Sequence, residues 1–201
     1  MGFATAKLLA SHGAKLSLAD RNKEGLEEAL KHLDGQGHVT HVVDVTSSQS
    51  VNSWIELTRE QLGPLDGAVN MAGITGSGAR IDQQTDEVWD QVMAVNAKGV
   101  FNCIRAQVPN MKPQGSIVST RRKSTHAIYG SSHSPVQVSA ASTLGLVGFP
   151  RHSVYCASKH AVIGLTRAVA KENPDIRVNC VAPGKLQPTT PTLIPKGGEY
   201  I

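Results

Sequence analysis

The amino-acid sequence predicts an α/β domain that is built on a parallel sheet. Helical and strand-like segments alternate along the chain, and two of the strand-like segments end at an aspartate. A chain of 201 residues with 40% hydrophobic and 18% charged residues has the composition of one globular domain. Strands that alternate with helices pair in parallel, because each helix returns the chain to the same edge of the sheet.

The alternation is regular through the first 70 residues. Helical periodicity covers residues 3–11, residues 23–33 and the segment that carries Trp54, and the first helix ends at Gly13. Strand-like runs cover residues 14–20, residues 38–43 and Gly67–Asn70. Thr46 or a following serine is predicted to cap the third helix, since a hydroxyl there can accept a free N–H of the first turn.

The second half of the chain continues the alternation around one irregular block. Helices are predicted over residues 85–111 and 154–171, and strands over residues 115–118 and Arg177–Val181. Residues 120–139 are rich in Ser, His and Arg and show neither period. This block of 20 residues is therefore predicted to be a disordered surface insertion.

Tyr155 and Lys159 are the first candidates for catalytic residues. Their spacing of four places the phenol and the ammonium one turn apart on one face of the predicted helix. A nearby cation favours the phenolate, and so lowers a tyrosine pKa that is ordinarily about 10. The same spacing arises by chance in many sequences, so the pair needs support from its surroundings.

Two further polar residues stand where a site could form. Ser142 lies 13 residues before Tyr155, after strand-like sequence, and its hydroxyl can hydrogen-bond a substrate oxygen. Asn96 lies inside a predicted helix, where asparagine has low propensity and usually needs another reason to be present. Taken singly, each of these residues is more often structural than catalytic.

Taken together, these residues resemble the short-chain dehydrogenase/reductase family. The matching positions are Asn70, Met71, Ala72, Gly73, Asn96, Ser142, Tyr155, Lys159, Pro183 and Gly184. Their order and spacing follow the family over nearly the whole chain outside the irregular block. The resemblance implies a Rossmann-type doubly wound parallel sheet. It also implies an NAD(P)-dependent oxidoreductase that transfers hydride between nicotinamide and a secondary alcohol or ketone.

The resemblance also implies a role for each catalytic residue. Tyr155 is then the general acid and base, and Lys159 lowers its pKa and holds the nicotinamide ribose. Ser142 orients the substrate oxygen, and Asn96 keeps a water molecule in the proton relay.

The predicted cofactor site lies at the ends of strands. Asp20 ends a strand where a carboxylate can bind the adenosine ribose hydroxyls and repel a 2′-phosphate, which favours NAD over NADP. Arg21 directly after it weakens that preference. Asp44 is either an adenine contact or a cap for the next helix. The other implied cofactor contacts are Gly2, Val45, Asn70, Ala72, Gly73, Tyr155, Lys159, Pro183 and Gly184.

The sequence departs from the family at both ends and in the irregular block. The family's first strand and most of its glycine-rich turn have no counterpart before Gly2, and its closing strand has none after Gly184. Because the amides of that turn hold the pyrophosphate, weak cofactor binding and a weakened sheet are expected. A translated intron is the favoured explanation of residues 120–139, and a substrate lid or basic docking loop is the alternative.

Composition and charge argue against several other classes. There is no run of 18 apolar residues and no basic leader with a cleavage site, so we expect a cytoplasmic protein without a membrane partner. The formal charge of +4 falls to +1 without Arg121, Arg122 and Lys123, so no nucleic-acid partner is expected. The spacing of the three cysteines fits neither a zinc site nor a disulfide framework.

Three hypotheses follow from the sequence. The first is an enzyme that acts on a small-molecule alcohol or ketone. The second is a catalytically impaired binding or scaffold protein. In both of these the chain is expected to form a homo-oligomer through the helices at residues 85–111 and 154–171, as the family commonly does. The third is a fragment from an incomplete gene model.

Overall fold

Helices and strands alternate in the structure, as the sequence predicts. A computed structural model describes residues 1–112 and 135–184. The helices in these ranges are α1 (Gly2–Ser11), α2 (Lys23–Lys31), α3 (Ser48–Leu62), α4 (Asp86–Met93), α5 (Gly99–Gln107) and α6 (Ser153–Glu172). The strands are β1 (Ser17–Asp20), β2 (Val39–Val42), β3 (Gly67–Asn70), β4 (Val136–Ala140) and β5 (Arg177–Val181). None of these helices is long and apolar enough to span a membrane.

Side-chain caps define where three of the helices begin. The Asn22 side chain accepts the backbone N–H of the third residue of α2, and Ser47 and Thr85 do the same for α3 and α4. Each cap satisfies a backbone donor that has no partner within the helix. The predicted serine cap of the third helix is therefore confirmed, and it is Ser47.

A π-helical turn, Ala94–Lys98, joins α4 to α5. Gly99 donates its backbone N–H to the carbonyl of Ala94, five residues earlier. The helix predicted over residues 85–111 is thus continuous through α5, with one extra residue inserted in the turn that contains Asn96. Such turns inside α-helices are frequent at functional sites, because they redirect one side chain without ending the helix.

The strands form two parallel sheets. β1 pairs with β2 in one sheet, and the other has the order β3, β4, β5. Within the described part of the chain, no strand joins β1 to β3. An apolar cavity of about 390 Å³ lies beside β3 and β4, and α1 lines its opposite side. The sequence predicts a weakened sheet where the family's first strand has no counterpart. In the described residues, β3 has no neighbouring strand on the side away from β4.

The strand before Ser142 differs from the prediction. Residues 115–118 lie outside the described ranges, and the strand between β3 and β5 is Val136–Ala140. Residues 136–139 therefore belong to the sheet, and their assignment to a disordered insertion is wrong. The pattern was misleading because Gln137 and Ser139 are polar yet fully buried, where Gln137 Nε2 donates to Ser139 Oγ over 2.8 Å.

Two apolar clusters pack on either side of α5. One joins α5 to α6 and the larger sheet, through Val100, Ile104, Ala141, Val162, Ile163, Val169 and Val178. The other joins α5 to α3 and the smaller sheet, through Val43, Val51, Ile55, Cys103 and Ala106. Because α5 contributes to both clusters, it links the two sheets, between which no strand lies in residues 1–112 and 135–184.

Gly99, the first residue of α5, allows the close approach of this helix to the segment after β2. A Cβ atom at Gly99 would lie 2.8 Å from Val45 Cγ2 and 3.2 Å from Val45 Cβ. Contacts of this kind force neighbouring atoms to shift, so a larger residue at this position is expected to separate α5 from the smaller sheet.

We predict that Gly99→Ala lowers the free energy of unfolding by about 1–3 kcal/mol, because the added methyl overpacks the contact with Val45. Urea denaturation followed by circular dichroism measures the change. Gly164→Ala in α6 is the matched control, since a Cβ there meets no atom within 4 Å. The control is expected to raise the free energy of unfolding by up to about 1 kcal/mol. Equal effects of the two substitutions would contradict the packing argument.

Candidate active site

The carboxyl ends of β3, β4 and β5 meet at one edge of the sheet, because the three strands are parallel. Backbone hydrogen bonds extend this edge beyond the strands. Ala141 donates its N–H to Val181 over 2.8 Å, and Thr143 donates to Pro183 over 3.0 Å. The predicted site residues Ser142 and Pro183 therefore lie on adjacent segments, although they are 41 positions apart in the sequence.

Lys159 is buried at this edge and faces Tyr155. Its exposed fraction is 2%, and its Nζ donates to the carbonyl of Ala140 over 2.9 Å. The same Nζ lies 5.6 Å from the centre of the Tyr155 ring, within the range of a cation–π contact. Burial lowers the pKa of Lys159 to about 8. The structure thus places both side chains on one face of α6.

The turn that begins at Ser142 packs against the Lys159 turn of α6. Ser142 is half-buried, and its Oγ accepts the N–H of Leu144 over 3.2 Å at the start of a short 3₁₀ helix, Thr143–Gly145. A Cβ on Gly145 would lie only 2.8 Å from the carbonyl oxygen of Lys159. Gly145 therefore allows the backbone of the serine turn to touch the backbone of α6.

Asn96 is fully buried, and its amide is engaged on both sides. Its Oδ1 accepts the N–H of Ile74 over 2.7 Å, and its Nδ2 donates to the carbonyl of Ile74 over 2.8 Å. The Nδ2 atom also donates to Ser158 Oγ over 2.9 Å. Both amide protons are thus used within the protein, so Asn96 has none left to donate to a water molecule.

Gly73 lies directly between Asn96 and Lys159. A Cβ at this position would be 3.1 Å from Asn96 Oδ1 and 3.1 Å from Lys159 Nζ. Any larger residue would push these two polar groups away from each other. Because Gly73 has no side chain, the loop after β3 can lie this close to α6.

The Asn70 side chain is buried in a reciprocal amide pair with Gln107 of α5. Asn70 Nδ2 donates to Gln107 Oε1 over 2.9 Å, and Gln107 Nε2 donates to Asn70 Oδ1 over 2.8 Å. The side-chain amide of this predicted cofactor contact is therefore occupied within the protein. It secures the end of β3, from which the loop carrying Ala72 and Gly73 begins.

The two acidic candidates lie exposed at the carboxyl ends of β1 and β2. Asp20 Oδ1 accepts the N–H of Asn22 over 2.9 Å. Asp44 Oδ1 accepts the hydroxyl of Thr46 over 2.7 Å and its N–H over 2.9 Å, and these hydrogen bonds lower the pKa of Asp44. Asp44 thus stabilises the turn before α3, whereas Ser47 caps the helix itself.

The remaining candidates lie near the same edge. Gly2 begins α1, where Met1 supplies no side-chain cap, and a Cβ on Gly2 would be 3.7 Å from Met71 Cβ. Gly184 is exposed, and a Cβ there would be 3.6 Å from Thr143 Cγ2. The carbonyl of Val45, which is half-buried, accepts the side chain of Asn102 over 2.9 Å.

Four residues that contact the candidate residues were not recognised in the sequence. They are Asn102, Gln107, Gly145 and Ser158. The three polar ones are almost fully buried on helices, and each bonds to another element. Polar residues at apolar positions of an amphipathic helix were the available signal, because buried polar groups must find partners.

Comparison with known proteins shows the family of the chain. The sequence profile of the short chain dehydrogenases matches residues 1–194. The chain belongs to the short-chain dehydrogenase/reductase family. Short-chain dehydrogenase/reductase ABA4 of Pyricularia oryzae is 37% identical over 194 residues, which cover 92% of this chain. Levodione reductase of Leifsonia aquatica is 35% identical over 192 residues, again 92% of this chain.

The Rossmann-type fold of the family is also found by structural comparison. A crystal structure of a levodione reductase superposes with a TM-score of 0.77 at 34% identity, covering 91% of this chain and 66% of that one. The chain spans 65% of the length of both curated relatives. The predicted family and the predicted doubly wound α/β class are therefore confirmed.

We predict that the burial of Lys159 makes stability depend on alkaline pH. Burial lowers the pKa of Lys159 from its ordinary value of 10.5 to about 8. Between these two values the unfolded chain binds more protons than the folded chain, so the free energy of unfolding should rise with pH. The rise attributable to this lysine is at most about 3 kcal/mol, since one pKa unit corresponds to about 1.4 kcal/mol.

Urea denaturation at several pH values between about 8 and about 10.5 measures this contribution. Lys159→Met is the reference, because it keeps the length of the side chain and removes the titrating group. The wild-type curve is expected to rise more steeply than that of the variant. Parallel curves would mean that the folded protein leaves this pKa unchanged.

Proposed function

We propose that the protein is an NAD(P)-dependent oxidoreductase that transfers hydride between nicotinamide and a secondary alcohol or ketone. The observation that carries the proposal is the pairing of Tyr155 with Lys159, whose Nζ lies 5.6 Å from the ring at the carboxyl edge of a parallel sheet. Ligands of open α/β sheets bind at this edge. Dehydrogenase or reductase chemistry is what membership of the family supports.

The residues at this edge fit a dinucleotide. The first turn of α1 has backbone N–H groups without a side-chain cap, and it lies beside Met71. A helix N-terminus of this kind suits a pyrophosphate. Gly73 itself places no side-chain atom next to Lys159 Nζ. When bound, the nicotinamide would supply or accept the hydride, and Lys159 would hold its ribose.

Tyr155 moves the proton in the proposed mechanism. In the direction of reduction, the phenol donates its proton to the carbonyl oxygen of the ketone. In the direction of oxidation, the phenolate takes the proton of the alcohol. Lys159 places its ammonium 5.6 Å from the centre of the phenol ring, on the same face of α6. Ser142 orients the substrate oxygen with its hydroxyl.

Asn96 serves the proton relay through its backbone in this proposal. The amide protons of its side chain already bond to Ile74 and Ser158. A water molecule near Lys159 would therefore be held by a carbonyl of the π-helical turn. This assigns the Asn96 side chain to fixing the position of the turn, and refines the role that the family resemblance implies.

NAD is proposed as the preferred cofactor. The carboxylate of Asp20 is exposed at the end of β1, where it could accept the ribose hydroxyls and would repel a 2′-phosphate. The hydrogen bond from Asn22 occupies Oδ1. Oδ2 is then the atom that we assign to the ribose. Arg21, also exposed, is the group that could favour the phosphate of NADP.

We also propose that the protein forms a homo-oligomer. We further propose that it acts in the cytoplasm. Trp89 on α4 is 45% exposed and Phe101 on α5 is 42% exposed. The guanidinium of Arg105 lies 4.8 Å from the Phe101 ring centre. Exposed aromatic rings with a neighbouring arginine are typical of interface centres, which supports assembly through these helices.

We predict that Tyr155→Phe lowers kcat by about 10²- to 10⁴-fold, because the variant lacks the proton that general acid catalysis requires. Activity is measured by absorbance of the reduced nicotinamide, with NAD(H) and a panel of secondary alcohols and ketones. Far-UV circular dichroism checks that Tyr155→Phe is folded like the wild type. Full activity of Tyr155→Phe would refute the assignment of the general acid and base.

We predict that Asp20→Ala reduces the preference for NAD over NADP by about tenfold or more, because it removes the charge that repels a 2′-phosphate. Isothermal titration calorimetry with each cofactor measures the ratio of the two dissociation constants. Asp34→Ala removes the same charge after α2 and serves as the control. An unchanged ratio in Asp20→Ala would exclude this carboxylate from the ribose site.

A binding or scaffold protein without catalysis is the second candidate. The observation in its favour is that no strand in residues 1–112 or 135–184 joins β1 to β3. Because the cofactor in such folds lies across that junction, the gap would weaken its binding. A folded oligomer that shows no heat of binding with NAD(H) would favour this candidate over the enzyme.

A further inference from the structure

Ser158 makes two hydrogen bonds that the proposed mechanism does not use. It is fully buried in α6, between Tyr155 and Lys159. Its Oγ donates to the carbonyl of Tyr155 over 2.8 Å and accepts Nδ2 of Asn96 over 2.9 Å. One hydroxyl therefore connects the turn of α6 that carries the tyrosine to the π-helical turn between α4 and α5.

The Asn96 amide connects Ser158 to the loop after β3. Its Oδ1 and Nδ2 bond to the N–H and the carbonyl of Ile74 over 2.7 and 2.8 Å. A continuous chain of hydrogen bonds thus runs from the backbone of Ile74, through Asn96 and Ser158, to the backbone of Tyr155. It joins three elements: Ile74 and Asn96 are 22 positions apart in the sequence, and Asn96 and Ser158 are 62 positions apart.

We propose that Ser158 is a positioning residue, which holds Tyr155 and Lys159 in register with the Gly73–Ile74 loop through Asn96. The inference rests on the proposed function, because the register concerns the proton-transferring pair. Without the hydroxyl, one Asn96 N–H would be buried with no acceptor, and the amide would lose its fixed orientation. The loop after β3 would then be free to move relative to the first turns of α6.

Positioning explains why a hydroxyl is used at this place in α6. A serine that bonds to a carbonyl in the preceding turn is unfavourable in a helix interior, because it competes with the helical ladder. An alanine would fit the helix better. The bond to Asn96 offsets this disadvantage, since it connects two helices and a loop through two fully buried side chains.

Ser158→Ala tests the proposal against a matched control. Thr166→Val removes a hydroxyl from the same helix, where Thr166 is 4% exposed and its Oγ1 donates to the carbonyl of Val162 over 2.7 Å. Ser158→Ala should lose more stability than Thr166→Val, because it also leaves an Asn96 N–H buried without an acceptor. Only Ser158→Ala should lower kcat, by about tenfold, with KM for the cofactor within about twofold of wild type, because misplacement of reacting groups acts on the chemical step.

A double-mutant cycle shows whether Ser158 acts through Asn96. Ser158→Ala is combined with Asn96→Ala, and kcat is compared in all four proteins. If the hydroxyl works by orienting the amide, Ser158→Ala should lower kcat by less than about twofold when Asn96 is already replaced. Additive losses would overturn the coupling. Ser158→Cys keeps a weak donor and acceptor, and should fall between serine and alanine.

Hydrogen–deuterium exchange of the protein without cofactor gives a readout that does not depend on activity. The N–H of Ile74 bonds to Asn96 Oδ1, so it should exchange about tenfold faster in Ser158→Ala than in Thr166→Val. Equal exchange in the two variants would overturn the positioning role. An inactive wild type with this difference in exchange would refute the proposed function and leave the positioning role supported.

Discussion

The candidate site depends on one buried cation. Lys159 is withdrawn from water, and its Nζ is held by the carbonyl of Ala140 at the end of the central strand of the larger sheet. Burying an ammonium is unfavourable, which is why the pKa of this lysine is lowered. Backbone segments of the surrounding structure lie very close to Lys159. Gly73 and Gly145 both lack the Cβ that would otherwise collide with Lys159. The segments of Ala140 and Gly73 therefore converge on the Lys159 side chain, and Gly145 approaches its backbone carbonyl. Tyr155 shares the same face of the helix.

The polar interior around this lysine is arranged in reciprocal pairs. Asn70 and Gln107 satisfy each other between β3 and α5, and Asn96 satisfies both backbone groups of Ile74. Buried amides of this kind are costly when a partner is missing, so each pair specifies one relative position of the elements that it joins. The amide pairs connect elements that are not joined by strand pairing. The smaller and larger sheets share no hydrogen-bonded strand within the described ranges, and α5 packs against both of them.

The sequence predicts several parts of this arrangement. The order of helices and strands followed from hydrophobic period and turn residues, and β3 and β5 have the predicted bounds. Helical spacing predicted that Tyr155 and Lys159 share one face of α6, and the resemblance to the family supported their interpretation as a catalytic pair. The strand before Ser142 was misassigned. Residues 115–118 have a strand-like apolar pattern, whereas Gln137 and Ser139 are buried polar residues whose hydrogen bond only a three-dimensional structure shows.

The amino-acid sequence by itself determined the local features of this protein: helix caps, strand and helix periods, and the side chains that share one face of α6. These depend on residues within a few positions of each other. Tertiary structure decided which strand enters the sheet, where Asn70 and Asn96 direct their amides, and that Ser158 links the elements around Tyr155. Those contacts join residues 22 to 62 positions apart. No local pattern encodes them, because the partner of a buried polar group is chosen only when the chain has packed.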